Sequence, residues 1–588
     1  MTQKKSILSK LGYLEYLPLQ EEAIDALCSG DDVLLAAPTG GGKSLVYQCA
    51  GIIREGIGVI VSPLIALMSQ QVEDLRKKGI NAYFLNSNLN PNEHENLLWA
   101  LRNNHIDLLF LSPEKLVQPS VISFLHGMSI SLFAIDEAHC ITQWGGSFRP
   151  EYSQLGQLRE AFPKVPIIAL TGTVDELTIK TIQSSLQMND ALVLKGSFDR
   201  KNIEIQIAQK RKAKLQILFF LHNEMAGQSG IIYCRSRKKT EELSSWLNTL
   251  GLPSLAYHAA MSDSDRQTNH KRFLTESGLI MVATTAYGMG IDIAHIRFVI
   301  HVDLPDSPES YFQEIGRAGR DNQPAKALLL YGLQDMLKAQ QLNAFQNQSG
   351  DERKPKLNAF FKVIESRGCR RQNLLAHFGE ASEACGNCDR CLAPTSEQNV
   401  TIASQKLLSL VYHTKGIQPF SVLIQVLLGK RTKSVLAMQG ERLALFGKGK
   451  ELNEAQWKSV IRHLIAFDYI ELNQAVIFCI HLKEKSRGIL KSQTQVLLAQ
   501  ERYYPTLDNE SAIKETATWH QLMSWKLTQK NSVLSDGQLR KVYQHKPTTI
   551  ASLSRLTGLS KEIIAPFSES LISLLSRVED VQEKDCVG

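Results

Sequence analysis

At 588 residues the chain is too long for one hydrophobic core, so several domains are expected. A hydrophobic content of 43% and a charged content of 21% exclude large-scale disorder. No stretch approaches the roughly 18 uninterrupted apolar residues of a membrane span, Met1 to Leu8 lack the apolar centre of a secretory signal, and the net charge of +7 leans towards polyanionic partners without naming one.

The first half repeats one theme: short apolar runs end in small or polar residues, and amphipathic stretches follow. Runs of this kind occupy 32–38, 58–63, 107–113, 132–138 and 166–173, then 230–235, 254–259, 279–285, 297–305 and 325–331. Continuous apolar runs suit strands buried on both faces, hence parallel sheets under helices. Two successive α/β domains are expected, divided near 197–214. Past residue 340 the texture turns polar, and a cysteine-rich segment begins. A Pro/Ser linker is expected at 393–400, a connector at 496–508 and short helices beyond it.

The first run leads into Ala37-Pro38-Thr39-Gly40-Gly41-Gly42-Lys43-Ser44 and then a helical pattern. Glycines let backbone N–H groups close around phosphates; Lys43 can reach β- and γ-phosphates and Ser44 can hold Mg²⁺. The run at 132–138 delivers Asp136 and Glu137 to a strand end, followed by His139. Asp136 suits Mg²⁺, Glu137 an attacking water, and His139 a sensor of the γ-phosphate. In the second domain, Gln313 to Asp321 carries Gln313 and two arginines, Arg317 and Arg320, cations able to neutralise phosphate charge across a cleft.

Ten cysteines are too few and too scattered for a disulfide framework. Cys28, Cys49, Cys140, Cys234, Cys479 and Cys586 stand alone, as reduced thiols would. Cys369, Cys385, Cys388 and Cys391 cluster with spacings that let one loop wrap a tetrahedral zinc ion. Four sulfurs leave no open position, so the metal is expected to be structural; His377 reads as a helix-face residue.

These motifs resemble the superfamily-two helicases with a DEAH box. Segments 61–72, 169–173 and 282–292 resemble that family's motifs Ia, III and V. After the DEAH box, Trp144, Phe148 and Arg149 match the aromatic-rich loop of RecQ DNA helicases, whereas Gly146 and Ser147 stand where the family has His-Asp. The cysteine cluster resembles the RecQ zinc-binding domain. Upstream, 11–20 resembles the RecQ adenine motif, with Gln20 for the purine edge and Tyr13 as a stacking face; Leu17 replaces an arginine and Leu19 a glycine. Segment 401–486 is similar to the RecQ winged-helix domain. It carries Lys430, Arg431, Lys433 and Lys448 for duplex phosphates and a hairpin at 469–482 with Asn473 and Gln474 at its tip. The tail resembles the helical HRDC domain only faintly.

The resemblance implies an α/β fold: two tandem RecA-like parallel-sheet domains (1–197 and 198–339), a helical zinc-binding domain (340–394), a winged-helix domain (395–495) and a small HRDC-like helical C-terminal domain (508–580). It implies an ATP-dependent 3′ to 5′ DNA helicase of recombination and repair, using ATP, Mg²⁺ and Zn²⁺. Single-stranded and duplex DNA are its implied partners, with a monomeric state and a cytoplasmic, nucleoid-associated setting. An RNA-directed DEAH-box ATPase would share the engine, and so would a DNA-binding module with a weakened motor.

Overall fold

The computed structural model describes residues 2–38, 41–63, 65–85, 91–103, 105–143, 150–172, 176–288, 293–346, 353–472, 478–501, 503–507, 510–529 and 534–584. The first lobe is built on a seven-stranded parallel sheet. Its strands are β1 (Val33–Ala36), β2 (Ile57–Val61), β3 (Ala82–Leu85), β4 (Leu108–Leu111), β5 (Ile130–Ile135), β6 (Ile167–Thr171) and β7 (Leu192–Lys195). They lie in the order β3-β4-β2-β5-β6-β1-β7. The second lobe holds β8 (Ile203–Gln209), β9 (Ser229–Tyr233), β10 (Ser254–Tyr257), β11 (Ile280–Ala283), β12 (Ile296–His301) and β13 (Ala325–Tyr331), in the order β10-β11-β9-β12-β13-β8.

All ten apolar runs are strands, and β1, β2, β4 and β6 are buried at every position because helices cover both sheet faces. Three strands had no such run: β3, β7 and β8. Each is an edge strand with partly exposed side chains; β8 alternates apolar and polar residues, β7 ends in Lys195, and β3 is only four residues long. The passage from one sheet to the other falls between β7 and β8, and the expected dividing segment at 197–214 includes a strand of the second sheet. That segment contains β8, which pairs with β13 over its full length from Ile203↔Ala325 to Gln209↔Tyr331.

The zinc-binding segment leans on this edge. Cys388 forms a parallel bridge to Ile205. Arg371, from the helix Arg370–His377, donates to the Ile203 carbonyl, and Arg370 is ion-paired to Asp389 at 3.0 Å, with both side chains buried.

The expected linkers at 393–400 and 496–508 are corrected, since each contains a strand. β14 (Glu397–Asn399) pairs antiparallel with β17 (Leu497–Ala499), closing a ribbon around the winged-helix fold. Inside it, β15 (Ile470–Leu472) and β16 (Ile480–Leu482) form the expected hairpin, whose tip residues Asn473 and Gln474 lie outside the described residues. The helix Glu454–Ala466 buries Trp457 completely, and its indole N–H donates to the Gly449 carbonyl at 2.9 Å. The same helix carries Arg462 to Glu365 (2.8 Å), Glu501 and the face of Tyr331 (5.3 Å), joining the winged helix to the zinc module and second lobe.

The tail folds into four helices, Glu510–Thr528, Asp536–His545, Ile550–Thr557 and Lys561–Lys584. Two are long, 19 and 24 residues, where short ones were expected. They share a small core around Leu522, Leu539, Val542, Leu553, Ile564 and Leu571. The first packs on the second lobe through His520, whose Nδ1 accepts the Gly227 N–H (3.1 Å) and whose Nε2 faces the Gly278 carbonyl (2.9 Å). No helix is long and apolar enough to cross a membrane among the described residues.

Candidate nucleotide site and zinc centre

The phosphate-type loop leaves β1 and enters the helix Lys43–Ile53 at Gly42, whose φ of 68° is left-handed and favours glycine. A Cβ at Gly42 would collide with Gln20. The Gln20 side chain closes on this loop: its amide donates to the carbonyls of Gly41 (3.3 Å) and Gly42 (3.1 Å), and its oxygen accepts the Leu17 N–H (2.9 Å). Lys43 donates back to Ala37 (2.7 Å) and Pro38 (3.3 Å). The loop thus binds its own lysine where an incoming phosphate would compete for it. Ser44 Oγ lies 3.4 Å from the Gln71 amide. Tyr13 is half-exposed, with the Lys78 ammonium 5.7 Å from its ring. Thr39 and Gly40 lie outside the described residues.

Facing the loop, β5 delivers Asp136, Glu137 and His139. Glu137 has a φ of 49°, a strained conformation for a residue with a side chain. Tyr152 holds the turn by donating to the Asp136 carbonyl at 3.1 Å. Burial first, and the neighbouring Glu137 charge second, push the Asp136 carboxyl up to about 7 against the pull of Lys43. A buried carboxyl so short of counter-charge suits a cation, and Asp136 and Ser44 are hard-oxygen groups that could hold Mg²⁺. Burial likewise pushes Lys43 down, and the Arg320 charge adds to this.

His139 is buried, and burial pushes its pKa down. Its Nδ1 lies 3.2 Å from Thr171 Oγ1 at the end of β6 and 3.4 Å from Glu137. Its Nε2 lies 3.5 Å from the Gln313 amide, a side-chain link between the lobes. Gln313 sits on the helix Pro308–Ile315, which runs into the turn carrying Arg317 and Arg320. Arg317 is 5% exposed and Arg320 is partly exposed.

Sequence reasoning missed what shapes that turn. Arg200 donates to the carbonyls of Gly316 (3.1 Å), Ala318 (3.1 Å) and Gly319 (2.8 Å), and Asn202 donates to Gly319 (2.8 Å) and Gln323 (2.9 Å). Both precede β8 in the stretch expected to divide the lobes, where nothing local marks a cation that grips a turn over 100 residues away. Trp144, Phe148 and Arg149 lie outside the described residues.

The four cysteines Cys369, Cys385, Cys388 and Cys391 bring their sulfurs within 4.8 Å of one another. Two pairs lie at 4.0 Å (Cys385 and Cys391) and 3.9 Å (Cys388 and Cys369). A tetrahedral zinc with sulfur at about 2.3 Å requires sulfur–sulfur edges of about 3.8 Å, so the cradle fits that ion. Burial raises the Cys369 thiol, but the N–H groups of Gln372 and Cys385 aimed at it bring it down to about 7, favouring the ligating thiolate. His377 is engaged elsewhere, 2.7 Å from Glu309.

Comparisons with known proteins agree with this layout. Residues 17–182 match the DEAD/DEAH box helicase family and 209–322 the helicase conserved C-terminal domain. Residues 333–392 match the RecQ zinc-binding family and 394–506 the RQC domain. The chain is 36% identical over 587 residues to the ATP-dependent DNA helicase RecQ of Pasteurella multocida, covering 97% of this chain and 93% of that protein. It is 35% identical to the protein of that name from Haemophilus influenzae (96% and 94% covered) and 32% identical to that from Bacillus subtilis (82% and 83%). Identity sustained across both lobes, the cysteine module and the winged helix makes the chain a member of the RecQ helicase family.

Proposed function

We propose that this protein is an ATP-dependent DNA helicase that moves 3′ to 5′ along a single strand and separates duplex ahead of it, in DNA recombination and repair. The observation that carries the reading is the cleft. Gln313, on the helix that runs into the turn carrying Arg317 and Arg320, reaches His139 of the other lobe at 3.5 Å. In this reading Lys43 exchanges its loop carbonyls for β- and γ-phosphate oxygens. Glu137 orients and polarises the attacking water. Arg317 and Arg320 neutralise charge developing on the γ-phosphoryl group, which they can do only with the lobes together. Mg²⁺, held by Ser44 and Asp136, would supply positive charge against the phosphate oxygens.

Gln20 and Tyr13 would take the adenine, Gln20 by releasing its bonds to the glycine loop. Thr39, Gly40, Gly41 and Gly42 would line the phosphates. Loss of the γ-phosphate removes what holds the lobes shut, and the alternation of closed and open cleft moves the strand. Trp144 and Phe148 would stack on bases beside Arg149, reporting the strand to the neighbouring acids. Zinc on the four cysteines holds the module against β8. The chain would work as a monomer.

Strand separation of 3′-tailed and 5′-tailed duplexes, with ATPase stimulation by single-stranded DNA and RNA of equal length, tests the reading. The 3′-tailed DNA should be unwound and DNA should stimulate best, while Lys43→Ala lowers turnover about 100-fold or more. Binding of tailed DNA without ATP-driven separation would refute a helicase.

A further inference from the structure

One buried tyrosine connects parts of the second lobe that the nucleotide chemistry leaves apart. Tyr233, the last residue of β9, is 3% exposed and donates its hydroxyl to the Tyr287 carbonyl at 2.8 Å. Tyr287 lies in the turn after β11, closed by its N–H on the Thr284 carbonyl (3.0 Å), and its ring packs on Tyr257 with centroids 4.6 Å apart. The next residue, Gly288, touches the arginine turn: a Cβ added there would lie 3.2 Å from Arg317 Nη2. Tyr233 also stacks on His301 (5.3 Å, 22°), and His301 Nε2 meets Glu314 at 2.7 Å in full burial, three residues before Arg317. The Arg317 charge is felt at the Tyr233 hydroxyl, which burial keeps protonated and able to donate. The tyrosine therefore ties the 284–288 turn by its hydroxyl and reaches the helix leading to Arg317 through His301.

We infer that Tyr233 is a positioning residue that transmits the placement of the 284–288 turn to Arg317, so that strand engagement at this turn sets the arginine for hydrolysis. The inference rests on the helicase reading, in which loops at the ends of these strands hold DNA. Tyr233 acts through the Tyr287 backbone, the His301–Glu314 pair and the Arg317 guanidinium beside its hydroxyl.

The test is Tyr233→Phe in the full chain, which keeps the ring and its stack and removes the hydroxyl. DNA-stimulated kcat should fall about tenfold, with ATP KM and the DNA concentration for half-stimulation within about twofold of the parent. The double variant Tyr233→Phe with Arg317→Ala should be no slower than Arg317→Ala alone, because residues acting as one unit are not additive. Unchanged stimulated kcat in Tyr233→Phe overturns the inference. So does an additive double variant, and so does a loss of kcat matched by a fall in melting temperature of the second lobe, which marks a purely structural residue. A parent protein that DNA does not stimulate would instead remove the helicase reading itself.

Discussion

His463 sits on the Trp457-bearing helix of the winged-helix fold, 7% exposed, with its ring 4.4 Å from that of Phe467. Burial pushes its pKa down to about 4 from 6.5; the Glu365 charge opposes this, while Arg367, Arg462 and Lys485 reinforce it. The folded ring stays neutral where the unfolded one takes a proton, so unfolding binds a proton between these values. Stability therefore falls as pH drops from about 6.5 towards 4, by on the order of 2–3 kcal/mol. His463→Gln should flatten this slope, measured as the difference in urea midpoint between pH 7 and pH 5; an unchanged slope would assign the acid sensitivity to other groups. At this scale the sequence singles out candidate residues whose chemistry needs a local pattern. Lys43, Asp136, Glu137 and the four cysteines are legible because each motif lies within a few dozen residues and at a strand end or in one loop. Tyr233, Arg200 and His463 had no such signature. Each acts through a partner brought close only by folding.

Among elements, the apolar runs identified every central strand, because burial on both faces imposes one composition. Edge strands β7 and β8 escaped because one open side allows polar residues, while the four-residue β3 is too short a run to stand out and the edge strand β10 was still legible. The helix Glu454–Ala466 reads as an amphipathic helix but says nothing of where Arg462 goes. In the fold its guanidinium is buried between Glu365 and Glu501. Arg462→Ala should destabilise the protein by about 3–5 kcal/mol, because two carboxylates lose their counter-charge in a dry setting. Adding Glu365→Gln should recover part of the loss. Urea denaturation of the single and double variants measures both; equal stability of Arg462→Ala and parent would show the network to be solvated.

For the whole molecule, the zinc module is a junction rather than an appendage. It bridges β8 through Cys388 and Ile205, binds Ser197 and Phe198 through Glu380, and receives the winged helix at Glu365. Removing zinc with a strong chelator should loosen more than the cysteine loop. Hydrogen exchange should rise across Ile203–Gln209 and around Arg462 as well as in 369–391, with unwinding lost before nucleotide binding. Exchange confined to the cysteine loop would make the module autonomous. The sequence by itself determined the two-sheet engine, the order of its motifs, the metal-binding cysteines and the family, since glycine loops, strand-end acids and short thiol spacings state their chemistry locally. Only the tertiary structure decided that Gln20 closes on the phosphate loop, that Arg200 shapes the arginine turn, and that the C-terminal helices dock on the second lobe at His520. Those contacts join segments 20 to nearly 300 residues apart, and their energy comes from shared burial and paired backbone groups that leave no mark in any one stretch of chain.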